Sequence, residues 1–229
     1  MKVMMKLFCL LVAAFLATTF VVQASDEKKC PCALTKRPAK HDKAKTARWM
    51  VHSLDWGTLT TISSRLGDGD IPFGNIYSFT DGTCNNSTGI PYFYGTYLDQ
   101  SLIDSVGNPM VSLSLSEASL SSVCGNKDGL DACSLGSRYG DPENPVCARL
   151  ALTGELVVLD KNSQEYAQAT AALFERHTTM AHWPKDHNWL IFKIDIEDVW
   201  LIDYFGGAAI ISPEEYFAVD LFDGAGEAR

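Results

Sequence analysis

The stretch Val111-Ser112-Leu113-Ser114-Leu115-Ser116 alternates apolar and polar residues without a break. In a strand, every second side chain points to the same face, so this segment predicts a β-strand with one buried and one solvent-facing side. Two more apolar segments, residues 189–196 and 199–204, predict strands that contribute to the core. The sheet formed by these segments is expected to be the central element of the fold.

Further strands and helices are indicated on both sides of this stretch. Strands are predicted where β-branched or aromatic residues alternate with small polar ones, at residues 58–63, 75–80, 91–95 and 148–159. Helical spacing of apolar residues predicts helices over residues 43–55 and 164–177, and Ser212-Pro213-Glu214-Glu215 has the pattern of a helix N-terminus. Because strands and helices do not alternate regularly, a mainly-β closed barrel with flanking helices is favoured over a doubly wound sheet.

The N-terminus has the pattern of a cleaved signal peptide. Lys2 and Lys6 precede an apolar run over residues 7–22, and small residues lead to Ser25. The domains expected are a signal peptide (1–24), a flexible N-terminal arm (25–42), one barrel domain (43–219) and a C-terminal tail (220–229). No later run reaches the roughly 20 apolar residues of a membrane helix, so no membrane span is predicted.

Charge and motifs exclude several functional classes. The chain carries a net charge of −9, and an acidic surface disfavours direct binding of nucleic acid. Neither a Gly-x-Ser-x-Gly nucleophile motif nor a glycine-rich phosphate loop occurs in the sequence. His177, His182 and His187 are close in sequence, but their five-residue spacing and Pro184 keep them off one helical face. No catalytic, cofactor-binding or metal-binding residue is therefore assigned.

The cysteines indicate disulfides. Six of the seven remain after loss of Cys9 with the signal peptide, and an even number in an oxidising compartment favours pairing, although six cysteines allow 15 pairings. Cys133 and Cys147 are the favoured pair because they bracket a loop rich in glycine and proline. Closing a loop of that length is worth about 3 kcal/mol in the chain-entropy model.

Two N-glycosylation sequons overlap in one short segment. Asn85 is followed by Ser87 at the acceptor spacing, and Asn86 by Thr88. The segment is turn-rich and lies between two predicted strands of a secreted chain, so we expect an N-glycan at Asn86 or else at Asn85. The other interpretation is that an asparagine-rich turn only supplies tolerant backbone geometry.

Seven motifs follow one another over residues 43–219. They are Arg48-Trp49-Met50-Val51-His52, Asp55-Trp56-Gly57-Thr58-Leu59-Thr60-Thr61-Ile62-Ser63, Ile71-Pro72-Phe73-Gly74-Asn75, Gly89-Ile90-Pro91-Tyr92-Phe93-Tyr94, Trp183-Pro184-x-x-His187-Asn188-Trp189, Asp203-Tyr204-Phe205-Gly206-Gly207 and Pro213-Glu214-Glu215-Tyr216. Together and in this order, they resemble the CREG family, the cellular repressors of adenoviral early-gene-stimulated transcription.

The resemblance implies a fold, a location and partners. It implies a split β-barrel of the FMN-binding, pyridoxamine 5'-phosphate oxidase type, a homodimer, secretion or delivery to endosomes and lysosomes, and N-glycans read by the mannose-6-phosphate receptor. It transfers no catalytic residue, so a non-enzymatic glycoprotein that binds receptors or partners in growth and differentiation control is the favoured function. A flavin-dependent or haem-linked oxidoreductase of the same fold is the alternative.

Two further expectations concern the dimer and the flavin. The apolar strands over residues 189–204 are expected to help hold the dimer, since a sheet with two apolar faces needs a covering surface. Flavin-binding relatives clamp the phosphate with basic and hydroxyl side chains. Here no lysine or arginine lies between Arg65 and Lys127, and the segment 97–104 offers two carboxylates. FMN is therefore expected to bind poorly unless Arg65, Arg138, Arg149 or a lysine of the partner subunit reaches it.

Overall fold

The computed structural model describes residues 37–120, 132–138 and 140–222. The predicted signal peptide, most of the N-terminal arm, Cys124 and the end of the C-terminal tail lie outside these residues. The strands are β1 (Trp56–Ile62), β2 (Pro72–Thr83), β3 (Asn86–Gly95), β4 (Met110–Ser116), β5 (Arg149–Val158), β6 (Leu190–Ile202) and β7 (Ala209–Ile211). The α-helices are α1 (Lys43–Ser53), α2 (Gln100–Gly107), α3 (Gln164–Arg176) and α4 (Pro213–Phe217).

Six strands close into an antiparallel barrel. Their order is β3-β2-β1-β4-β5-β6, pairing between β3 and β6 completes the ring, and β7 extends β6 at one end. The barrel interior is filled by side chains such as Leu59, Phe79, Phe93, Leu113 and Leu152, which are all essentially inaccessible to solvent. The predicted fold class, a mainly-β split barrel with flanking helices, is confirmed.

Strand β4 shows how the alternating pattern fixes the barrel wall. Val111, Leu113 and Leu115 are buried, whereas the serines between them are partly or fully exposed. Leu113 lies opposite Leu59 of β1 on one side and Leu152 of β5 on the other. The period-2 pattern therefore predicts the bounds and the inner face of this strand correctly.

Strand β6 differs from the prediction of two strands at residues 189–196 and 199–204. It is one continuous strand with a β-bulge, because its register against β5 steps from Asp198 opposite Thr153 to Ile196 opposite Gly154. Its first part also pairs with β3 and its last part with β7. Both edges of β6 are thus paired within the chain, and its apolar side chains fill the core, so the reason for placing a dimer contact there does not hold.

Helix α1 packs across one end of the barrel. It contacts β2, β3, β4, β6 and β7, and its residues from Thr46 to Ser53 are all buried. The sequence predicts that this helix continues to residue 55, whereas it ends at Ser53 and β1 begins at Trp56. Burial on all sides explains why polar residues of this helix have partners inside the protein.

The described parts of the loop between β4 and β5 are held against the barrel at two places. Glu117 is buried and accepts a hydrogen bond from the Ala148 backbone N–H at 2.9 Å. Cys133 and Cys147, the pair favoured from the sequence, are joined by a disulfide and are also buried. The loop is therefore anchored to the barrel at both points.

Candidate functional site

A cavity of about 310 Å³ opens at the outer side of β2 and β3. We call it the aromatic cavity. Its walls are β2, the end of β3, the turn into α2 and the segment that leads into β6, and the side chains and backbone that line it are Ile76, Tyr77, Ser78, Tyr94, Gly95, Thr96, Asp99, Met180, Trp183 and Trp189.

One wall of the cavity is a stack of aromatic rings. The ring of Tyr94 is stacked 4.7 Å from Trp189 and 5.8 Å from Trp183, and Phe174 of α3 meets it edge-on at 5.3 Å. The indole N–H of Trp189 donates to the carbonyl oxygen of Pro184 at 2.6 Å, which fixes the orientation of that ring. Trp183 and Trp189 are tilted by 42° against each other, with ring centroids 5.0 Å apart. The wall is consequently a compact and largely apolar group of aromatic rings.

The opposite corner of the cavity is formed by Asp99, the N-cap residue of α2. Its carboxylate accepts hydrogen bonds from the Tyr77 hydroxyl at 2.6 Å, the Ser101 backbone N–H at 2.9 Å and the Asn75 amide at 3.1 Å. Burial, followed by the hydrogen bond to Asp99, raises the pKa of Tyr77, so this phenol stays a neutral donor. The chain's own carboxylate thus occupies the end of a helix where a phosphate could otherwise bind.

The second carboxylate of this segment, Asp104, serves packing. It is buried and accepts hydrogen bonds from the Ser64 backbone N–H at 2.7 Å and the Thr61 hydroxyl at 2.9 Å. Burial raises the pKa of Asp104, but its hydrogen bonds from Ser64, Gln100 and Thr61 outweigh burial and hold the pKa below its ordinary value. Asp104 therefore ties α2 to the end of β1 and takes no part in the cavity.

The cations named from the sequence do not line the aromatic cavity. Arg65 lies over the ring of Phe73 at 5.8 Å, and Arg149 donates to the carbonyl oxygen of Glu143 at 3.1 Å. Among the described residues that line the cavity there is no lysine or arginine. A flavin phosphate needs charge-assisted hydrogen bonds to be buried, so the donor set of this cavity does not fit FMN.

A second polar cluster lies beneath α1, and sequence reasoning missed it. His52 Nδ1 and Asp81 Oδ1 are 2.7 Å apart and both side chains are fully buried. The other oxygen of Asp81 accepts hydrogen bonds from the Ser87 hydroxyl and, at 3.3 Å, from the Gly89 backbone N–H. Arg48 donates to the Ser87 carbonyl oxygen at 2.9 Å.

This cluster holds the residue types of a serine hydrolase in the wrong arrangement. In a catalytic triad the histidine contacts the serine hydroxyl and removes its proton. Here the Ser87 hydroxyl donates to Asp81 and His52 lies on the far side of that carboxylate. Burial raises the pKa of Asp81, but the hydrogen bonds from His52 and Ser87 outweigh burial and hold the pKa below its ordinary value. The carboxyl therefore stays ionised. The arrangement stabilises the hairpin and does not activate a nucleophile.

Both sequon asparagines lie at the tip of the β2–β3 hairpin. Asn85 and Asn86 are exposed, and the hydroxyl of Thr88 donates to the Asp81 carbonyl oxygen at 2.7 Å. The Ser87 hydroxyl is also engaged, as described above. The same hairpin contains Cys84, which is disulfide-bonded.

The three clustered histidines have separate surroundings. The imidazole Nε2 of His177 hydrogen-bonds the Phe79 carbonyl oxygen at 2.9 Å, whereas His182 is exposed. Within residues 37–120, 132–138 and 140–222, one group of three ligand-type side chains comes within 4.8 Å, namely Glu117, Cys133 and Cys147, and its sulfur atoms form the disulfide. The same part of the chain contains no helix with both the length and the apolar character of a membrane span.

Comparison with known proteins agrees with this geometry. The CREG β-barrel family matches residues 38–218, compared with the domain over 43–219 expected from the sequence. Chicken (Gallus gallus) protein CREG1 is 40% identical over 184 residues, which is 80% of this chain and 88% of the relative. Human protein CREG2 is 39% identical over 180 residues, and the match spans 79% of this chain and 57% of that protein.

Solved structures show the same fold at low sequence identity. A heme binding protein from Mycobacterium smegmatis superposes with a TM-score of 0.57 and 18% identity over 80% of this chain and 62% of that chain. The Agrobacterium tumefaciens protein Atu2129 gives a TM-score of 0.54 and 14% identity over 78% and 62% of the two chains. The barrel, the ordered motifs and the family match over residues 38–218 together lead to one conclusion, that this chain belongs to the CREG family.

Proposed function

We propose that this chain is a secreted or endolysosomal CREG glycoprotein that acts in growth and differentiation control by binding a receptor or protein partner, and not by catalysis. The observation that supports this best is the Asp99 corner of the aromatic cavity. The resemblance to flavin-binding split barrels implies cations for the phosphate near segment 97–104, and there this chain presents the carboxylate of Asp99, already bonded to Tyr77, Asn75 and Ser101.

Weak binding of FMN is the first consequence of this proposal. If two cationic contacts of about 1.5–3 kcal/mol each are missing, the affinity should fall by roughly two to four orders of magnitude before repulsion from Asp99 is counted. The test is titration of the secreted protein with FMN, followed by quenching of flavin fluorescence. A dissociation constant in the low micromolar range or tighter would contradict the proposal.

Riboflavin is the matched control ligand, since it has the same ring and lacks the phosphate. If the missing cations decide the outcome, riboflavin should bind at least as well as FMN. Stronger binding of FMN than of riboflavin would mean that the chain does supply a phosphate site, and would favour an enzyme.

A second candidate function is an oxidoreductase that holds haem or a flavin ring. The aromatic rings of Tyr94, Trp183 and Trp189 favour it, because aromatic side chains beside a cavity can pack against a planar ligand. Absorbance of the secreted protein between about 350 and 500 nm separates the two functions, since a retained haem or flavin absorbs there. A Trp183→Ala variant that loses such a band would place the chromophore in the aromatic cavity.

The glycoprotein part of the proposal rests on the exposed hairpin tip. The acceptor hydroxyls of Ser87 and Thr88 are bonded within the folded hairpin, so we expect glycan addition before the hairpin folds. The glycan is also the group that the mannose-6-phosphate receptor would bind. Expression in a eukaryotic secretory host should give a band that shifts on glycosidase treatment, and Asn85→Gln and Asn86→Gln should identify the modified residue. An unshifted band would reject the proposed glycosylation.

A further inference from the structure

A groove of about 540 Å³ separates the β2–β3 hairpin tip from the chain that follows α4. We call it the hairpin groove. The two sequon asparagines line it together with Ser87 of the hairpin, and Phe217 and Phe222 line it from the C-terminal segment. Arg48 also lines the groove and donates to the carbonyl oxygens of both Ser87 and Tyr216. The groove is thus lined by both residues to which a glycan could be attached.

We propose that the hairpin groove is a preformed binding site for the first N-acetylglucosamine of an N-glycan on Asn86. We call this binding site the seat. The proposal rests on the N-glycosylation proposed above and adds what the sugar does once attached. A pyranose ring has an apolar C–H face and polar edges, so it suits a groove with an exposed aromatic ring among polar groups. Phe217 is 42% exposed and supplies that ring, while Asn85, Thr88 and Asp220 supply polar groups.

The wall of the groove is held in place from beneath. Helix α4 starts with a capping box between Ser212 and Glu215. The hydroxyl of the fully buried Tyr216 donates to the Gly89 carbonyl oxygen at 2.7 Å, and Arg48 donates to the Tyr216 carbonyl oxygen at 3.3 Å. Phe217, the next residue, is therefore presented to the groove by a fixed element, and the seat exists before the sugar enters it.

Covalent attachment makes weak contacts sufficient. A sugar on Asn86 is held at the rim, so its entry into the groove is an intramolecular step with a high effective concentration. Contacts to Phe217 and to the chain up to Phe222 would join the hairpin tip to the C-terminal segment. The glycan would then stabilise the folded state, since the unfolded chain offers no groove.

The test uses an Asn85→Gln background, which leaves the Asn86 sequon alone. Three forms are compared by thermal unfolding: the full glycan, the glycan trimmed by endoglycosidase to one N-acetylglucosamine, and the unglycosylated Asn85→Gln/Asn86→Gln variant. We expect the trimmed form to keep a Tm about 2–4 °C above the unglycosylated one, the shift that a modest contact gives in a domain of this size.

The Phe217→Ala variant tests whether the sugar binds in the hairpin groove. This substitution should abolish the Tm difference between trimmed and unglycosylated protein, whereas Phe205→Ala, at an exposed aromatic residue outside the groove, should leave it intact. A glycosylated protein with no Tm difference, or a difference that survives Phe217→Ala, would overturn the seat alone. Absence of any glycan on Asn86 would overturn both the seat and the proposed glycosylation at this residue.

Discussion

Protonation of His177 should couple stability to pH between about pH 5 and pH 7. This residue caps the C-terminus of α3, and its imidazole hydrogen-bonds the Phe79 carbonyl oxygen. Burial lowers the pKa of His177, and the hydrogen bond to Phe79 and the charge of Asp55 oppose this only in part. The folded protein therefore binds this proton less readily than the unfolded chain, and the contribution of His177 to stability is lost as the pH falls below about 6.5.

The prediction is that His177→Gln reduces the loss of stability between pH 7 and pH 5. Glutamine can still donate to the Phe79 carbonyl oxygen but takes up no proton in this range. Urea unfolding at several pH values measures the effect, with His182→Gln as the control because His182 is exposed. If the His177→Gln variant keeps the pH dependence of the unsubstituted protein, the pKa of the His177 imidazole is the same in the folded and unfolded states.

Local patterns in the sequence reveal some residues of the candidate sites and miss others. The sequons at Asn85 and Asn86 and the pair Cys133 and Cys147 follow from short-range patterns. The contact of His52 with Asp81 joins residues on different elements, and nothing near either residue points to the other. The N-cap role of Asp99 had a local signal, since an N-cap residue precedes apolar residues at helical spacing over 102–106.

The bulge between β5 and β6 depends on Gly154. A Cβ atom at this position would lie 1.9 Å from the Asp195 carbonyl oxygen, a backbone atom that cannot move aside without breaking the strand pairing. Gly154→Ala should therefore lower the free energy of unfolding by about 1–3 kcal/mol. Gly107→Ala, at the end of α2 with no atom within 4 Å of its Cβ position, should be neutral or stabilising by up to about 1 kcal/mol. Equal effects in urea unfolding would contradict this role of the bulge.

Helices and strands could be predicted from the sequence where one face is buried and the apolar pattern extends over the whole element. Strand β4 and helix α3 match their predicted ranges closely, since each buries one face and exposes the other. Strand β6 was divided in the prediction because Glu197 and Asp198 interrupt its apolar pattern, and only pairing with β5 shows that they lie at a bulge. Strand β7 has three residues and exists through its pairing with β6, which local propensity cannot anticipate.

At the scale of the whole molecule, one group of exposed apolar side chains lies outside the barrel strands that the sequence singled out for a dimer contact. Large apolar side chains are exposed beside the aromatic cavity and along α2, namely those of Ile76, Tyr97, Leu98, Ile103 and Val106. They are close together because Ile76 and Asp99 line the same cavity and because Ile103 and Val106 lie one turn apart on α2. An exposed cluster of this kind is typical of a surface that binds protein.

The predicted homodimer is therefore expected to use this cluster. A symmetric contact buries each of these side chains twice, and burial of one leucine or valine is worth about 1.5–3 kcal/mol. Leu98→Lys combined with Val106→Lys removes that gain and places charges in the contact, so the dimer dissociation constant should rise by two orders of magnitude or more. Light scattering across micromolar concentrations should then change from dimer to monomer; the full polypeptide has a mass of 25.1 kDa before the expected loss of the signal peptide. Ile210→Lys, at an equally exposed residue on β7, is the control and should leave the dimer intact. If the unsubstituted protein is a monomer, the homodimer is refuted, and if Ile210→Lys alone dissociates it, the interface lies at β7.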